Sequence, residues 1–197
     1  MTVMGFVTAG GQSSRMGRDK AWLEIEGRAM IECVIASLAP VVRDVAIIAN
    51  SDQYTRLGLP VFSDAETGIG PLEAIRTALK NSDAPRVVLV ACDLPFVTTE
   101  LFEYLLGVAD EETSVVPLDD EGRVEPLCAV YSKTALDELE RLIESGERKV
   151  SKLYDRVQVR FVPFEEIRNL EGASRFFENV NTPNEYLQAL KNATSRR

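Results

Sequence analysis

Apolar and polar positions follow two different patterns in the first half of the chain, one typical of buried strands and one typical of helices. Continuously apolar runs that stop at glycine or polar residues are typical of buried strands, and they occur in "VMGFVTA", "DVAIIAN", "LPVFSD" and "PRVVLVACDLPF". Apolar residues at helical spacing occur in "MIECVIASL", "GPLEAIRTALKN" and "TTELFEYLLGVA", the last of which begins at a threonine cap. Strands that alternate with helices of this length predict a mostly parallel sheet that is covered on both faces.

The second half of the chain is less regular. We predict strands in "TSVVPL", "PLCAVYS" and "RVQVRFVPF", a helix in "KTALDELERLIESG", and a last helix from Pro183 to about Leu190. No repeat, low-complexity run or linker interrupts the pattern. Residues 1–191 are therefore expected to form one domain, followed by a disordered tail at 192–197. The whole pattern predicts an α/β fold.

Composition narrows the range of functions. The chain has 197 residues and a formal net charge of −9, which argues against nucleic-acid binding. It has neither an apolar stretch long enough for a membrane span nor the layout of a secretion signal, so a cytoplasmic location without membrane association is expected. Histidine is absent, which excludes histidine-based triads and histidine-ligated metal sites. The remaining chemistry must use carboxylates, Lys, Arg, backbone amides or a hard metal ion.

The predicted strands are followed by residues suited to ligand binding. In open α/β sheets, ligands bind outside the carboxyl ends of the strands. That rule brings together the loop after Ala9, Asn50, Asp64 and Asp93. We therefore expect the functional site at this edge of the sheet.

The loop after the first strand, "AGGQSSRMGRDK", combines two glycines with a concentration of positive charge. Gly10 and Gly11 let the backbone turn and let its amides approach a ligand, while Arg15, Arg18 and Lys20 can donate to phosphate oxygens. The spacing fits neither the P-loop nor the dinucleotide-binding glycine motif. The alternative is that the glycines only allow the chain to turn and that the basic residues lie on its surface without binding a ligand.

Two aspartates follow predicted strands. Asp93 ends a buried strand, where an uncompensated carboxylate is unfavourable, and it suits Mg²⁺, which binds one or two carboxylates together with substrate phosphates. The alternative for Asp93 is the cap of a turn or helix. Asp64 could contact a ligand or act as a second carboxylate near the metal, although turn chemistry also explains it.

The segment "FFENVNTPNEYL" contains a capping box. Thr182 and Glu185 have the required spacing, and Pro183 suits the first helical position. The box does not account for Asn179 and Asn181, which point to the same side of an extended segment. Their amides could face a ligand or satisfy backbone groups of the loop.

Several of these segments resemble motifs of a known family. "TAGGQSSRMGRDK" is similar to the signature L-A-G-G-x-S-x-R-M-G-x-D-K of nucleotidyltransferases that make nucleotide-bearing molybdenum cofactors. The further segments "GPLEAI", "ACDLPF", "GRVEPLCAVY", "GERKV" and "FFENVNTPNEY" follow in the expected order, so the resemblance spans nearly the whole chain. The N-terminal motif is shared with related sugar and cytidine nucleotidyltransferases. The terminal F-x-N-x-N-T-P segment resembles the guanylyltransferase branch.

The resemblance implies a three-layer Rossmann-like nucleotidyltransferase fold and an Mg²⁺-dependent activity. That activity is the transfer of GMP from GTP to molybdopterin, with release of pyrophosphate. The implied partners are GTP, the molybdenum cofactor, and molybdoenzymes or other cofactor-biosynthesis proteins. The chain departs from the family pattern at Thr8, where Leu is usual, and at Ile48, where Asn is frequent, which leaves Asn50 as the asparagine of that strand.

Residue roles also follow from the resemblance. The catalytic residues would be Lys20, Arg15 and Asp93, and Asp93 would bind the metal. Asn179 and Asn181 would lie near the pterin acceptor. The residues expected to bind the nucleotide are Thr8, Ala9, Gly10, Gly11, Lys20, Asn50, Asp64 and Asp93.

Two alternative functions stay open at this point. The first is a related nucleotidyltransferase that uses CTP or a sugar-phosphate acceptor, because base selection depends on loop geometry that a sequence does not show. The second is a nucleotide-binding scaffold without turnover, which the joint presence of Lys20, Asp64 and Asp93 disfavours. Asp19 lies within the basic loop, and we expect it to form a salt bridge that orders the loop.

Overall fold

The structure is a computed structural model that describes residues 3–10, 19–65, 70–108 and 110–194 of the chain. Its regular elements, in chain order, are β1 (Val3–Thr8), β2 (Glu24–Ile25), β3 (Arg28–Ala29), α1 (Met30–Leu38), β4 (Asp44–Ile48), β5 (Val61–Phe62), α2 (Pro71–Lys80), β6 (Arg86–Ala91), α3 (Thr99–Gly107), β7 (Ser114–Pro117), β8 (Cys128–Ser132), α4 (Leu136–Glu144), α5 (Ser151–Tyr154), β9 (Val159–Val162), α6 (Phe164–Ile167) and α7 (Pro183–Thr194).

A seven-stranded sheet with the order β5-β4-β1-β6-β8-β7-β9 occupies the centre of the described part of the chain. The neighbours β5, β4, β1 and β6 are parallel, and β9 pairs in parallel with β7. The strand β8 runs antiparallel to both β6 and β7. The prediction of a mostly parallel sheet is therefore confirmed. Because β8 is reversed, its beginning lies at the same edge as the carboxyl end of β6.

Helices cover both faces of the sheet. Thr98 accepts a hydrogen bond from the Leu101 amide, which confirms the predicted threonine cap of α3. One core lies between the sheet and the helices α1 and α3, and it includes Ile31, Val34, Leu38, Leu101, Phe102, Val88 and Val90. The second core lies between the sheet and the helices α2 and α4, and it includes Leu72, Ile75, Leu79, Leu139, Leu142, Phe6 and Leu89. The expected three-layer fold is confirmed.

The strands β2 and β3 form a hairpin that the sequence pattern does not predict, because each strand has only two residues. Glu26 has a φ of 53° and Gly27 a φ of 79°, and a tight hairpin turn of this kind requires positive φ at both central positions. The hairpin packs against the C-terminal segment through a small cluster that includes Ile25, Val180 and Ala189. This contact holds the end of the chain beside the residues that follow the glycine loop.

The last helix is longer than predicted. It continues to Thr194 instead of ending near Leu190, because no glycine or proline interrupts the residues that follow. Residues 192–194, the first part of the predicted tail, are therefore helical, and residues 195–197 lie outside the described residues. No helix in the described part of the chain is long and apolar enough to cross a membrane.

Candidate active site

The ammonium group of Lys20 lies between two oxygen atoms that come from distant parts of the sequence. Its Nζ donates to Asp93 Oδ2 at 2.5 Å and to Asn181 Oδ1 at 2.5 Å. The side chains of Lys20 and Asp93 are only 18% and 14% exposed, so this ion pair is largely shielded from solvent. The structure thus brings together one residue from the glycine-loop motif, one from the end of β6, and one from the C-terminal motif.

Backbone hydrogen bonds hold the Asp93 segment in place. The Cys92 amide donates to the Thr8 carbonyl at 2.9 Å, which extends the pairing of β6 with β1 beyond the strand end. The Val180 amide donates to the Asp93 carbonyl at 3.0 Å. The C-terminal segment is therefore attached directly to the turn that follows β6.

The predicted capping box at the start of α7 is confirmed. The Glu185 carboxylate accepts hydrogen bonds from the amides of Thr182 and Asn181, and the Glu185 amide donates to Thr182 Oγ1. The box therefore does more than cap the helix, because it also holds the backbone of Asn181. Asn179 is not part of the Lys20 group, since its amide donates to the Phe177 carbonyl at 3.4 Å.

Asp19 is held by neutral donors among the described residues. Its carboxylate accepts hydrogen bonds from the Tyr54 hydroxyl at 2.5 Å, the Gln53 amide at 2.7 Å and the Ala21 backbone at 3.1 Å. Burial, followed by the bond to Asp19, raises the pKa of Tyr54 far above its ordinary range, so the hydroxyl remains a donor. The basic loop residues Arg15 and Arg18 lie outside the described residues, so the expected salt bridge of Asp19 stays a prediction. Among the described residues, Gln53 and Tyr54 of another segment position Asp19.

Asn50 and Asp64 form a second group at the ends of β4 and β5. Asn50 Oδ1 accepts a hydrogen bond from the Asp64 amide at 3.0 Å, and Thr77 Oγ1 donates to Asp64 Oδ1 at 2.8 Å. Burial raises the pKa of Asp64, and the Thr77 bond opposes that shift. Ile48 is the last residue of β4 and is buried in the core with Phe6, so the departure from the family pattern at this position adds an apolar side chain to the core.

The described part of the glycine loop lies between these two groups in the sheet order. The Ala9 amide donates to the Ile48 carbonyl at 2.9 Å, and Gly10 is exposed with a φ of 80°, which favours glycine. Thr8 is half-buried at the end of β1. The other predicted residues of the loop, Gly11 and Arg15, lie outside the described residues.

The oxygens around Lys20 form a donor set that suits a divalent cation. Asp93 Oδ2 and Asn181 Oδ1 already converge on one positive group, and carboxylate and amide oxygens are ligands of hard metal ions. Across the described ranges, no group of three or more His, Cys, Asp or Glu residues is arranged to hold a metal ion. An ion here would therefore complete its shell with water and substrate phosphates.

Sequence reasoning missed two groups of residues around the site. Gln53 and Tyr54 belong to no recognisable motif. Their contacts with Asp19 are visible only in the folded structure. Glu125 precedes β8 and lies at the functional edge of the sheet, where burial and neighbouring carboxylates raise its pKa to about 7. The position of Glu125, a polar residue directly before a predicted apolar strand, was a signal in the sequence. It indicates the functional edge only when the reversed direction of β8 is known.

Comparison with known proteins identifies the family. Residues 5–159 match the MobA-like NTP transferase domain. The chain belongs to this family. The family resemblance inferred from the sequence is thereby confirmed, and it accounts for the nucleotidyltransferase motifs at the start of the chain.

Individual members of the MobA-like family are similar over nearly their whole length. A probable molybdenum cofactor guanylyltransferase from Carboxydothermus hydrogenoformans is 35% identical over 185 residues, covering 94% of this chain and 93% of the relative. One from Pelotomaculum thermopropionicum is 37% identical over 186 residues, covering 94% and 90%. The crystal structure of molybdopterin-guanine dinucleotide biosynthesis protein A from Archaeoglobus fulgidus has a TM-score of 0.80 and 28% identity, covering 98% and 99%. These names agree with the guanylyltransferase branch that the C-terminal motif indicates.

Proposed function

We propose that this protein transfers GMP from GTP to molybdopterin or the molybdenum cofactor, forming its guanine dinucleotide and releasing pyrophosphate. The observation that carries the proposal is the contact of Lys20 with both Asp93 and Asn181. It joins the loop motif common to the wider superfamily with the segment that resembles the guanylyltransferase branch. The names of the similar proteins support guanine over cytosine.

The nucleotide would bind along the edge formed by β5, β4, β1 and β6. The backbone of Ala9 and Gly10 would approach the phosphates, with Thr8, Gly11 and Arg15 in the same loop. Asn50 and Asp64 would contact the nucleotide on the other side of this loop, where they already support each other. The acceptor would bind near Asn179 and Asn181.

The reaction needs positioning and charge compensation more than a general base. A phosphate oxygen of the acceptor attacks the α-phosphorus of GTP, the new P–O bond forms, and the bond to the bridging oxygen breaks as pyrophosphate leaves. A phosphate monoester is already a nucleophile near neutral pH. Lys20 would stabilise the charge on the phosphates, and one such pair at 4 Å is worth about 4 kcal/mol at an effective dielectric of about 20.

Asp93 and Asn181 would hold the Mg²⁺ ion, because their oxygens converge and suit a hard cation. The bound ion would offset the negative charge of the triphosphate. In this structure Asp93 compensates the charge of Lys20, so the full Lys20 charge would act on the phosphates only once the ion neutralises Asp93. Lys20 lies beside the same two oxygens and is placed to donate to phosphate oxygens that bind there.

Pyrophosphate release tests this function directly. We expect release from GTP only when Mg²⁺ and molybdopterin are both present, with the guanine dinucleotide as the second product. Release with CTP but not with GTP would contradict the proposal, and GTP binding without product would favour a scaffold. A cytoplasmic location and transfer of the product to molybdoenzymes or other cofactor-biosynthesis proteins stay predictions.

A further inference from the structure

Glu125 is a half-buried carboxylate at the edge of the site to which the proposed reaction assigns no role. Its backbone amide donates to the Pro117 carbonyl at 3.0 Å, which holds the residue between β7 and β8. The nearby Asp119 accepts hydrogen bonds from the amides of Glu121 and Arg123 and from the Arg123 guanidinium. The hydrogen bonds of the described residues include none to the Glu125 carboxylate.

The register of the sheet places Glu125 and Asp93 at the same end of one strand pair. Arg86 pairs with Ser132 and Val90 with Cys128, so each step forward along β6 matches a step backward along β8. The Ala91 amide then donates to the Leu127 carbonyl at 2.8 Å, which continues this relation to the strand end. Beyond this pair both segments turn, because the Leu94 amide donates to the Ala91 carbonyl and the Cys128 amide donates to the Glu125 carbonyl. Asp93 and Glu125 lie in these turns. Both carboxylates thus stand at the same end of one strand pair.

The surroundings of Glu125 disfavour its charged form. Burial is the first cause that raises its pKa, and the negative charges of Asp119 and Asp93 add to it, while Arg123 opposes it. A phosphate at this position would be repelled by the same carboxylates. A ligand group that donates hydrogen bonds would instead compensate the buried charge.

The sheet order indicates which substrate reaches Glu125. The proposed nucleotide contacts follow β5, β4, β1 and β6, whereas Glu125 precedes β8 on the other side of β6. The Asp93 carbonyl binds the Val180 amide, between the two asparagines expected at the acceptor. Glu125 therefore lies on the acceptor side of Asp93.

The acceptor and the nucleotide share one group that a carboxylate recognises. Pterin and guanine are both 2-amino-4-oxo pyrimidine rings, with a ring N–H and an amino N–H side by side, and the two oxygens of a carboxylate can accept both. We propose that Glu125 accepts these two hydrogen bonds from the pterin ring of the acceptor and so determines which acceptor is used. This inference rests on the proposed function and adds a specificity-determining residue to it.

Steady-state kinetics of Glu125→Gln is the first test. The amide keeps the size of the side chain but offers one acceptor oxygen, so the KM for molybdopterin should rise at least about tenfold, while the KM for GTP changes less than about twofold. Asp120→Asn is the matched control, because it removes an exposed acidic charge from the same loop and should leave both constants unchanged. An unchanged KM for molybdopterin, or a changed requirement for Mg²⁺, would overturn the assignment.

Pairs of ring analogues with and without the 2-amino group show whether Glu125 recognises the pterin ring of the acceptor or the guanine ring of GTP. 6-Hydroxymethylpterin should inhibit the wild-type protein more strongly than 6-hydroxymethyllumazine, which lacks the 2-amino group, and Glu125→Gln should remove most of that difference. The preference for GTP over ITP, which lacks the guanine 2-amino group, should stay the same in the variant. Loss of the GTP preference instead would mean that Glu125 contacts guanine and would overturn the proposal. A wild-type protein that makes no dinucleotide from GTP and molybdopterin would refute the proposed function itself, without any variant.

Discussion

The hydroxyl of Tyr54 donates a 2.5 Å hydrogen bond to the carboxylate of Asp19, the residue that directly precedes Lys20. The Gly10 backbone lowers the pKa of this hydroxyl, against the larger effects of burial and of Asp19, which raise it. Gly10 and Asp19 flank the residues predicted to bind phosphate. Tyr54 is buried, so its hydroxyl holds Asp19, directly before Lys20, from within the core.

Tyr54→Phe tests whether this connection positions Lys20. The variant keeps the ring and removes the donor to a charged partner, so the free energy of unfolding should fall by about 1–2 kcal/mol. Because Lys20 loses its fixed orientation, kcat with GTP should fall about tenfold. Denaturant unfolding and steady-state kinetics measure the two effects.

Tyr154→Phe is the matched control for this variant. The Tyr154 hydroxyl lies 3.0 Å from that of Tyr131 in the core on another part of the sheet, away from the Lys20 group. We expect a loss of stability in this control with normal kcat. If both tyrosine variants lose the same fraction of kcat, Tyr54 has only a structural role.

Lys20→Ala should abolish most of the turnover. The interaction of the Lys20 charge with the phosphates is worth about three decades in rate if it is fully expressed in the transition state. Its loss should therefore lower kcat/KM for GTP on the order of a thousandfold. Lys80→Ala is the control, because Lys80 pairs with Glu140 on the surface and its side chain is 52% exposed. Near-normal activity of Lys20→Ala would rule out the role assigned to it.

The Mg²⁺ requirement of the reaction should depend on the two oxygens around Lys20, Asp93 Oδ2 and Asn181 Oδ1. Chelation with EDTA should stop pyrophosphate release, and added Mg²⁺ should restore it. In Asp93→Asn the Mg²⁺ concentration for half-maximal activity should rise at least about tenfold, because a charged oxygen ligand is lost. Asp83→Asn removes an exposed aspartate far from the site and should show the wild-type requirement. An identical Mg²⁺ requirement in both variants would contradict the assignment of Asp93.

Glu125 should destabilise the folded protein at alkaline pH. Its folded-state pKa is raised to about 7, so the stability from its protonated form is present below the unfolded-state pKa and is lost as the pH rises through about 7. Glu125→Gln should therefore be more stable than the wild type at pH 8 and equally stable near pH 4. After discounting for solvent screening, the gain at pH 8 is on the order of 1 kcal/mol.

Thermal unfolding of Glu125→Gln and Asp120→Asn across this pH range measures the effect. The Asp120 variant should follow the wild-type curve because that side chain is exposed. A gain in stability that does not vary with pH would show that the charge of Glu125 is already compensated in the folded state. The same substitution is expected to weaken acceptor binding. Glu125 would therefore lower the stability of the folded protein while it contributes to acceptor recognition.

The general position of the site was predictable because it depends on local patterns. Apolar runs identified the strands, and the rule for the ends of parallel strands then grouped Asn50, Asp64 and Asp93 at one edge. The capping box at Thr182 was equally local and is present as predicted. Sequence resemblance placed Lys20 and Asn181 in one reaction, and the structure brings their side chains into contact.

The details that were missed depend on contacts between distant segments. Among the described residues, Asp19 contacts Gln53 and Tyr54, which follow β4 and belong to no recognisable motif. The position of Glu125 follows only from the reversed direction of β8, which an apolar pattern does not reveal. The hairpin of β2 and β3 is too short for any periodicity to be seen.

The hydrogen bond between Lys20 and Asn181 joins residues that are 161 positions apart. A chain that emerges from the ribosome therefore exposes its glycine loop long before the last oxygen of the site exists. Domains generally fold as units, so the strands that precede Asn181 do not assemble the complete site by themselves. Competence to bind metal and acceptor therefore depends on the C-terminal segment, and a chain that stops before Asn181 would lack one of the two oxygens around Lys20.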